Sequence, residues 1–179
     1  VVRHGTAYCQ LVPRHEAMHR RAASVPTVLS VGAIKPRKGY HVSLAAFALL
    51  KRRVPSARYW IVGRVDQPED LKTLQRFIEQ EHLEDVHFLG ELSPEALRKC
   101  YQDALLFALA PQQVGFSFEG FGLVFLEAGA YGLPVVATRT GGVADAIDVG
   151  TTGLLTDPSD REGLAAAMER LLTDHELAR

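Results

Sequence analysis

The chain has 179 residues, 47% of them hydrophobic, and a formal net charge of −1. This length suits a single domain, and the nearly balanced charge excludes the strong field that draws a protein to nucleic acid or to acidic membranes. No apolar run approaches the roughly 20 residues that cross a bilayer, and the first residues do not have the pattern of a signal peptide. The two cysteines, Cys9 and Cys100, match no metal-ligand spacing, so we expect a reduced, cytoplasmic setting.

Short apolar segments alternate with helical patterns along the chain. The predicted strands, in chain order, cover residues 27–32, 57–63, 86–90, 105–110, 133–138 and 153–157. The predicted helices cover residues 41–54, 68–83, 93–104, a segment that begins at Leu123, 142–150 and 160–178. In the third of these helices, Ser93 is predicted to be the N-cap and Pro94 the first helical residue.

The alternation of helices with continuous apolar strands predicts an α/β fold. We expect a Rossmann-like doubly wound parallel sheet of about six strands, with helices on both faces. The predicted domain covers residues 26–179, whereas residues 1–25 show little periodicity and are predicted to be a linker or a residual element of a preceding domain. The chain begins without an initiator methionine, so we expect it to come from a longer protein.

Ligands of open parallel sheets bind at the carboxyl ends of the strands, and three loops there are candidates. The first loop, GAIKPRKG, runs from Gly32 to Gly39 and carries Lys35, Arg37 and Lys38 between a strand and a helix. Cations beside the N–H groups of a helix N-terminus suit a phosphate or a diphosphate. The alternative is a solvated basic turn.

The second loop, FEGFG, covers residues 118–122 and leads into the helix that begins at Leu123. Its glycines allow backbone N–H groups to approach a ligand closely. The helix is apolar all round and is predicted to be buried, although Glu127 is the only charged side chain between Gly120 and Thr138. A carboxylate in such surroundings either faces a cleft, where it accepts hydrogen bonds from hydroxyls such as a ribose diol, or forms an internal salt bridge with an arginine.

The third loop, TRTGGV, covers residues 138–143. Its paired glycines and hydroxyl groups fit a second anion site built from backbone N–H groups. They also fit an ordinary strand-to-helix turn, which is the commoner case.

The stretch SFEGFGLVFLEAGAYGLPVVATRTGGVADAI resembles the C-terminal domain of the retaining glycosyltransferases with the GT-B fold, glycosyltransferase family 4. The family's motif of two glutamates separated by seven residues corresponds here to Glu119 and Glu127. The segments SVGAIKPRKG and TGLLTDP match in the same order, so the resemblance runs from about residue 26 to about residue 175. It implies that the predicted sheet is one half of a GT-B fold.

The resemblance also implies a reaction. The chain would be the donor-binding half of an enzyme that transfers a sugar from a nucleotide-diphosphate sugar to an acceptor with retention of configuration, without a metal ion or another cofactor. Glu119 would contact the hydroxyls of the donor sugar, and Lys38 would neutralise the diphosphate as it leaves. These two are the implied catalytic residues, and the leaving diphosphate itself would act as the base.

The donor-binding positions follow from the same resemblance. Glu127 would hold the ribose hydroxyls, and the backbone at Leu92 would meet the base. The remaining positions lie in or beside the first two loops, where the backbone or a cation would face the sugar and the phosphates: Gly32, Arg37, Gly120, Phe121, Gly122 and Leu123.

The sequence departs from the family pattern at three positions, one of which is Asp145, where the family usually has a glutamate after the paired glycines. Many members carry an arginine where this chain has Ala33, and we expect Arg37, beside Lys38, to replace it. After the second strand, Arg64 meets either solvent, which we favour, or a phosphate.

A GT-B enzyme has two such domains with the active site between them, so the resemblance implies an N-terminal acceptor-binding domain in the same parent chain. We expect this chain alone to bind the donor weakly and to transfer little or no sugar. A lipid-linked acceptor would place the parent enzyme peripherally at a membrane. Two alternatives stay open: a sugar-nucleotide enzyme of the same fold other than a transferase, and a non-catalytic α/β scaffold domain.

Overall fold

The structure, a computed structural model, describes residues 25–174 and 177–178. Its strands are β1 (Thr27–Val31), β2 (Arg58–Val62), β3 (Val86–Gly90), β4 (Leu106–Leu109), β5 (Val135–Thr138) and β6 (Gly153–Thr156). They form one six-stranded sheet in the order β3-β2-β1-β4-β5-β6, and each neighbouring pair is parallel. The predicted linker or residual element at residues 1–25 lies outside the described residues, apart from Val25.

Helices connect successive strands, and the last helix follows β6. They are α1 (Tyr40–Arg53), α2 (Pro68–Gln80), α3 (Pro94–Asp103), α4 (Leu123–Ala130), α5 (Val143–Ala146) and α6 (Arg161–Thr173). Helices α1 and α6 pack against each other and against β4. In the described part of the chain, no helix combines the length and the apolar character that crossing a membrane requires.

The central strands are covered on both faces. All four residues of β4 and all four of β5 are buried, as are the first four residues of β1. Successive side chains of a strand point to opposite faces, so complete burial requires packing on each face. The continuous apolar runs of the sequence have this physical origin, and the predicted α/β parallel sheet is confirmed.

The helix boundaries differ from the prediction mainly at the carboxyl ends. Helix α2 ends before His82, whose left-handed φ of 53° stops it. Helix α5 ends at Ala146 because Ile147 is extended and Val149 then bridges to Gly153 at the start of β6. Helix α6 ends at Thr173, before the extended Asp174, so the predicted helices 68–83, 142–150 and 160–178 were all too long. At the start of α3 the prediction is confirmed, since the Ser93 hydroxyl accepts the N–H of Ala96 at 3.2 Å.

The order of the strands creates a crevice. The chain builds β2 and β3 on one side of β1 and then returns to place β4 on the other side. The carboxyl ends of β1 and β4 form the switch point of the sheet, and ligands of doubly wound sheets bind in the crevice at such a point.

Candidate functional site

The loops after β1 and β4 are joined at the crevice by close backbone contact. A Cβ atom on Gly39 would lie 1.6 Å from the carbonyl oxygen of Ala110, so only glycine fits there. The N–H of Gln112 donates to the carbonyl of Arg37 at 2.8 Å. These contacts fix the loop of residues 32–39 against the loop that follows β4.

Three charged side chains converge where these two loops meet. Nη1 of Arg37 lies 2.6 Å from Oε2 of Glu119, and Nζ of Lys38 lies 2.8 Å from the same oxygen. The residues Lys38 and Glu119 are only 6% and 7% exposed, whereas the side chain of Arg37 is 26% exposed. The structure thus brings together both predicted catalytic residues, and it adds the cation that was expected to replace the arginine missing at position 33.

Burial sets the protonation behaviour of Lys38. Desolvation lowers the pKa of its ammonium group below the usual 10.5, while the hydrogen bond and the charge of Glu119 act in the opposite direction. Arg37 and Lys35 also favour the neutral amine, because their charges repel that of Lys38. Lys38 is therefore a cation held in place by a single carboxylate against the cost of its own burial.

Gly32, at the start of the first loop, leaves room for Lys38. A Cβ atom on Gly32 would come within 3.2 Å of Cε of Lys38, so the lysine stem lies along this glycine. The Tyr40 hydroxyl donates to the Gly32 carbonyl at 2.7 Å and fixes the end of β1. Gly32, predicted as a donor-binding position, therefore lies directly against a predicted catalytic residue.

The paired glycines of the third loop support the second loop. A Cβ atom on Gly141 would lie 2.1 Å from the carbonyl oxygen of Glu119, and one on Gly142 would lie 2.4 Å from that of Gly120. The N–H of Gly142 donates to the Glu119 carbonyl at 3.3 Å. In this structure the two glycines are needed for close packing beneath the Glu119 backbone.

The start of α4 is shaped by Gly122, which is the N-cap with a φ of 71°. Its carbonyl accepts the N–H of Phe125 at 2.9 Å. The prediction that this helix is buried all round was wrong: Leu123 and Leu126 are 40% and 37% exposed, and only Phe125 and Ala128 are buried. The helix packs one side against β5, so its opposite side stays open although its residues are apolar.

Glu127 is half-buried on α4 and is contacted from α3. The Tyr101 hydroxyl donates to its Oε2 at 3.1 Å, and the Tyr101 ring stacks on Tyr131 with the ring centroids 5.0 Å apart. Sequence reasoning missed Tyr101, although a tyrosine on the apolar side of an amphipathic helix carries a polar tip that needs a partner. The hydrogen bond from Tyr101 orients the Glu127 carboxylate, which was predicted to bind the hydroxyls of a ribose.

The other predicted residues are spread around the same edge of the sheet. Gly120 and Phe121 are exposed between Glu119 and the start of α4. Leu92 is half-buried in the loop between β3 and α3 and packs against the core. Arg64 is 66% exposed in its side chain and pairs with Asp66 at 2.8 Å, which agrees with the solvent-facing interpretation. Within residues 25–174 and 177–178, no three His, Cys, Asp or Glu side chains are grouped so that they could hold a metal ion.

The sequence matches one protein family and is similar to several known proteins. A family model described as "Glycosyl transferases group 1" matches residues 13–179. A GDP-mannose-dependent alpha-(1-6)-phosphatidylinositol monomannoside mannosyltransferase of Mycolicibacterium smegmatis is 36% identical over 152 residues, 83% of this chain and 39% of that protein. A D-inositol 3-phosphate glycosyltransferase of Corynebacterium urealyticum is 38% identical over 166 residues, 87% of this chain and 38% of that protein.

A solved structure shares the fold. The crystal structure of Anabaena HepE in complex with UDP and glucose superposes with a TM-score of 0.78 at 25% identity, over 93% of this chain and 45% of that one. The chain thus spans 38–45% of the length of these similar proteins. The family match covers almost the whole sequence, and the chain belongs to the group 1 glycosyl transferases.

Proposed function

We propose that this chain is the donor-binding domain of a retaining glycosyltransferase, the C-terminal half of a family 4 enzyme of the GT-B type. It would bind a nucleoside-diphosphate sugar in the crevice at the carboxyl ends of β1 and β4. The observation that carries the proposal is the convergence of Arg37, Lys38 and Glu119 in that crevice. The complex of HepE with UDP and glucose supports the choice of ligand class.

The two cations are assigned to the diphosphate. Guanidinium and ammonium groups form strong charge-assisted hydrogen bonds with phosphate oxygens. Lys38, buried and held from a rigid loop, would stabilise the negative charge that grows on the diphosphate as the bond to the sugar breaks. Arg37 would supply the second cation in place of the arginine absent at Ala33. In this proposal the two side chains neutralise the charge of the diphosphate, and the reaction requires no cofactor.

The carboxylates are assigned to hydroxyl groups of the donor. Glu127, oriented by the Tyr101 hydroxyl, would accept hydrogen bonds from the ribose. Glu119 would accept them from the sugar. The backbone of Gly120, Phe121, Gly122 and Leu123 would face the sugar and the phosphates, and the backbone at Leu92 would meet the base.

The acceptor is assigned to the rest of a longer protein. The similar curated proteins are more than twice as long as the segments that match this chain. We infer that an acceptor-binding domain completes the site, so this chain alone binds the donor weakly and transfers little sugar. A transfer rate comparable to that of a full-length enzyme would contradict this inference.

Calorimetric titration with UDP, GDP and ADP tests the proposal. We expect one nucleotide to bind, and Glu127→Ala to abolish or strongly weaken that binding because the ribose loses its acceptor. Glu169→Ala is a matched control, since it also removes a helical glutamate, one that pairs with Arg53 on the surface. Equal affinity in the wild type and in Glu127→Ala would contradict the ribose assignment. Binding of none of the nucleotides to this chain would contradict a functional donor site within it.

The same titration tests Arg37. We expect Arg37→Gln to weaken nucleotide affinity by about 1–2 kcal/mol, the contribution of a charge-assisted hydrogen bond. Arg53→Gln, which breaks a surface ion pair with Glu169, should leave the affinity unchanged. An unchanged affinity in Arg37→Gln would mean that Arg37 does not replace the missing arginine.

A further inference from the structure

One carboxylate oxygen occupies the point where the two cations of the crevice converge. Oε2 of Glu119 is 2.6 Å from Arg37 and 2.8 Å from Lys38. We propose that Glu119 is an internal counter-ion at the position assigned to the diphosphate, and that a diphosphate displaces it from the cations. This inference rests on the proposed function, since it concerns the same site.

The geometry makes the competition direct. Oε2 of Glu119 lies where a donor of Arg37 and a donor of Lys38 meet, so a phosphate oxygen that bonds to this same pair of donors takes its place. The residues Lys38 and Glu119 are both buried, so water does not screen the repulsion between the carboxylate and an entering anion as it would at the surface. The diphosphate and the carboxylate cannot both keep this position.

The charges favour displacement of Glu119 by a diphosphate over displacement by an anion of lower charge. Arg37, Lys38 and Glu119 together carry a single net positive charge. A nucleoside diphosphate carries several negative charges and presents more acceptor oxygens than one carboxylate does, so it satisfies both cations more fully. Without an anion, Glu119 prevents Lys38 from being a buried cation with no partner.

The exchange has a consequence for the sugar. Release from the cations frees Oε2 of Glu119 to accept hydrogen bonds, and Glu119 lies in the loop assigned to the sugar. Glu119 would then contact the sugar hydroxyls only when a diphosphate is present. The residue would lower affinity for the diphosphate alone and contribute affinity through the sugar, which favours the intact donor over the product nucleotide.

The test compares Glu119→Gln with the wild type in calorimetric titrations at low ionic strength. The probes are inorganic pyrophosphate, the nucleoside diphosphate that binds the wild type, and its sugar conjugate. We expect Glu119→Gln to bind pyrophosphate and the free nucleotide about tenfold more tightly, equivalent to about 1.4 kcal/mol, with a smaller gain for the sugar conjugate. Glu169→Gln removes one negative charge from the surface pair with Arg53 and should leave all three affinities unchanged.

A second measurement uses the unaltered chain and does not depend on the folding of a variant. Pyrophosphate should shift the carboxyl carbon resonance of Glu119 in the NMR spectrum while that of Glu169 stays in place. A Glu119 resonance that does not move, or a pyrophosphate affinity that is unchanged or lower in Glu119→Gln, overturns the counter-ion role.

The two proposals fail separately. Pyrophosphate contains no ribose, so its tighter binding to Glu119→Gln supports the counter-ion even if Glu127→Ala binds nucleotides as well as the wild type does. In that case the proposed assignment of the ribose fails and the inference about Glu119 stands. Conversely, loss of nucleotide binding in Glu127→Ala with no gain in Glu119→Gln supports the donor site and overturns the counter-ion.

Discussion

Lys38 carries its charge in a place that water hardly reaches, and this makes it sensitive to pH. Burial lowers the pKa of its ammonium group, so the amine loses its proton at a lower pH than an exposed lysine does. A bound anion favours the charged form and raises that pKa again. The affinity for a diphosphate and the protonation of Lys38 are therefore coupled.

We expect the affinity for pyrophosphate to fall with rising pH, beginning below the usual lysine pKa of 10.5. Titrations at a series of alkaline pH values measure this, and Lys38→Arg, whose side chain stays charged, should show a flatter profile. An identical pH profile in the two proteins would contradict the role of Lys38.

Without a bound anion, the free energy of unfolding should rise with pH, whereas the affinity for pyrophosphate should fall. The folded-state pKa of Lys38 lies below the unfolded one, so the unfolded state binds more protons in the window between them. The free energy of unfolding contributed by Lys38 therefore rises as the pH rises through the lowered pKa towards 10.5. Chemical denaturation should show this rise in the wild type and not in Lys38→Met.

At the scale of the elements, the loop between β1 and α1 depends on a backbone contact that only glycine permits. Gly39 has a φ of 67°, and any side chain there would collide with the Ala110 carbonyl. Gly90 has nearly the same φ, 68°, but a Cβ atom on it would meet nothing within 4 Å. Substitutions at these two glycines therefore separate the cost of a left-handed backbone conformation from the cost of a steric collision.

We expect Gly90→Ala to lower the free energy of unfolding by about 1–2 kcal/mol through the left-handed φ alone. Gly39→Ala should lower it by at least about 1 kcal/mol more, because the loops after β1 and β4 must also separate. Urea denaturation of both variants gives the comparison. Equal losses of stability would show that the contact with Ala110 is not tight.

The elements also show which features a sequence can predict. The strands β1, β4 and β5 are buried on both faces and have continuous apolar runs, and all six strands were predicted within about two residues of their observed ends. The end of α5 depends on where Val149 must meet Gly153, and the open side of α4 depends on where the sheet lies. Neither feature depends on local sequence alone, so the periodicity of the sequence does not predict it.

At the scale of the whole molecule, the order of the strands assembles the site from distant segments. Arg37 and Glu119 are 82 positions apart and come together because β1 and β4 are neighbours in the sheet. The sequence predicted the loops and the residue types by pattern and resemblance. It did not predict that Glu119 pairs with both cations, because that contact follows from the packing of the loops.

The central claim is that a nucleoside-diphosphate sugar binds in this crevice, and a crystal structure of the chain with such a donor tests it most directly. We predict diphosphate oxygens within hydrogen-bonding distance of Lys38 and Arg37, the ribose hydroxyls on Glu127, and Glu119 withdrawn from the cations towards the sugar. A nucleotide bound at another edge of the sheet would contradict the donor site. A diphosphate in the crevice with Glu119 still bonded to both cations would contradict the exchange of counter-ions.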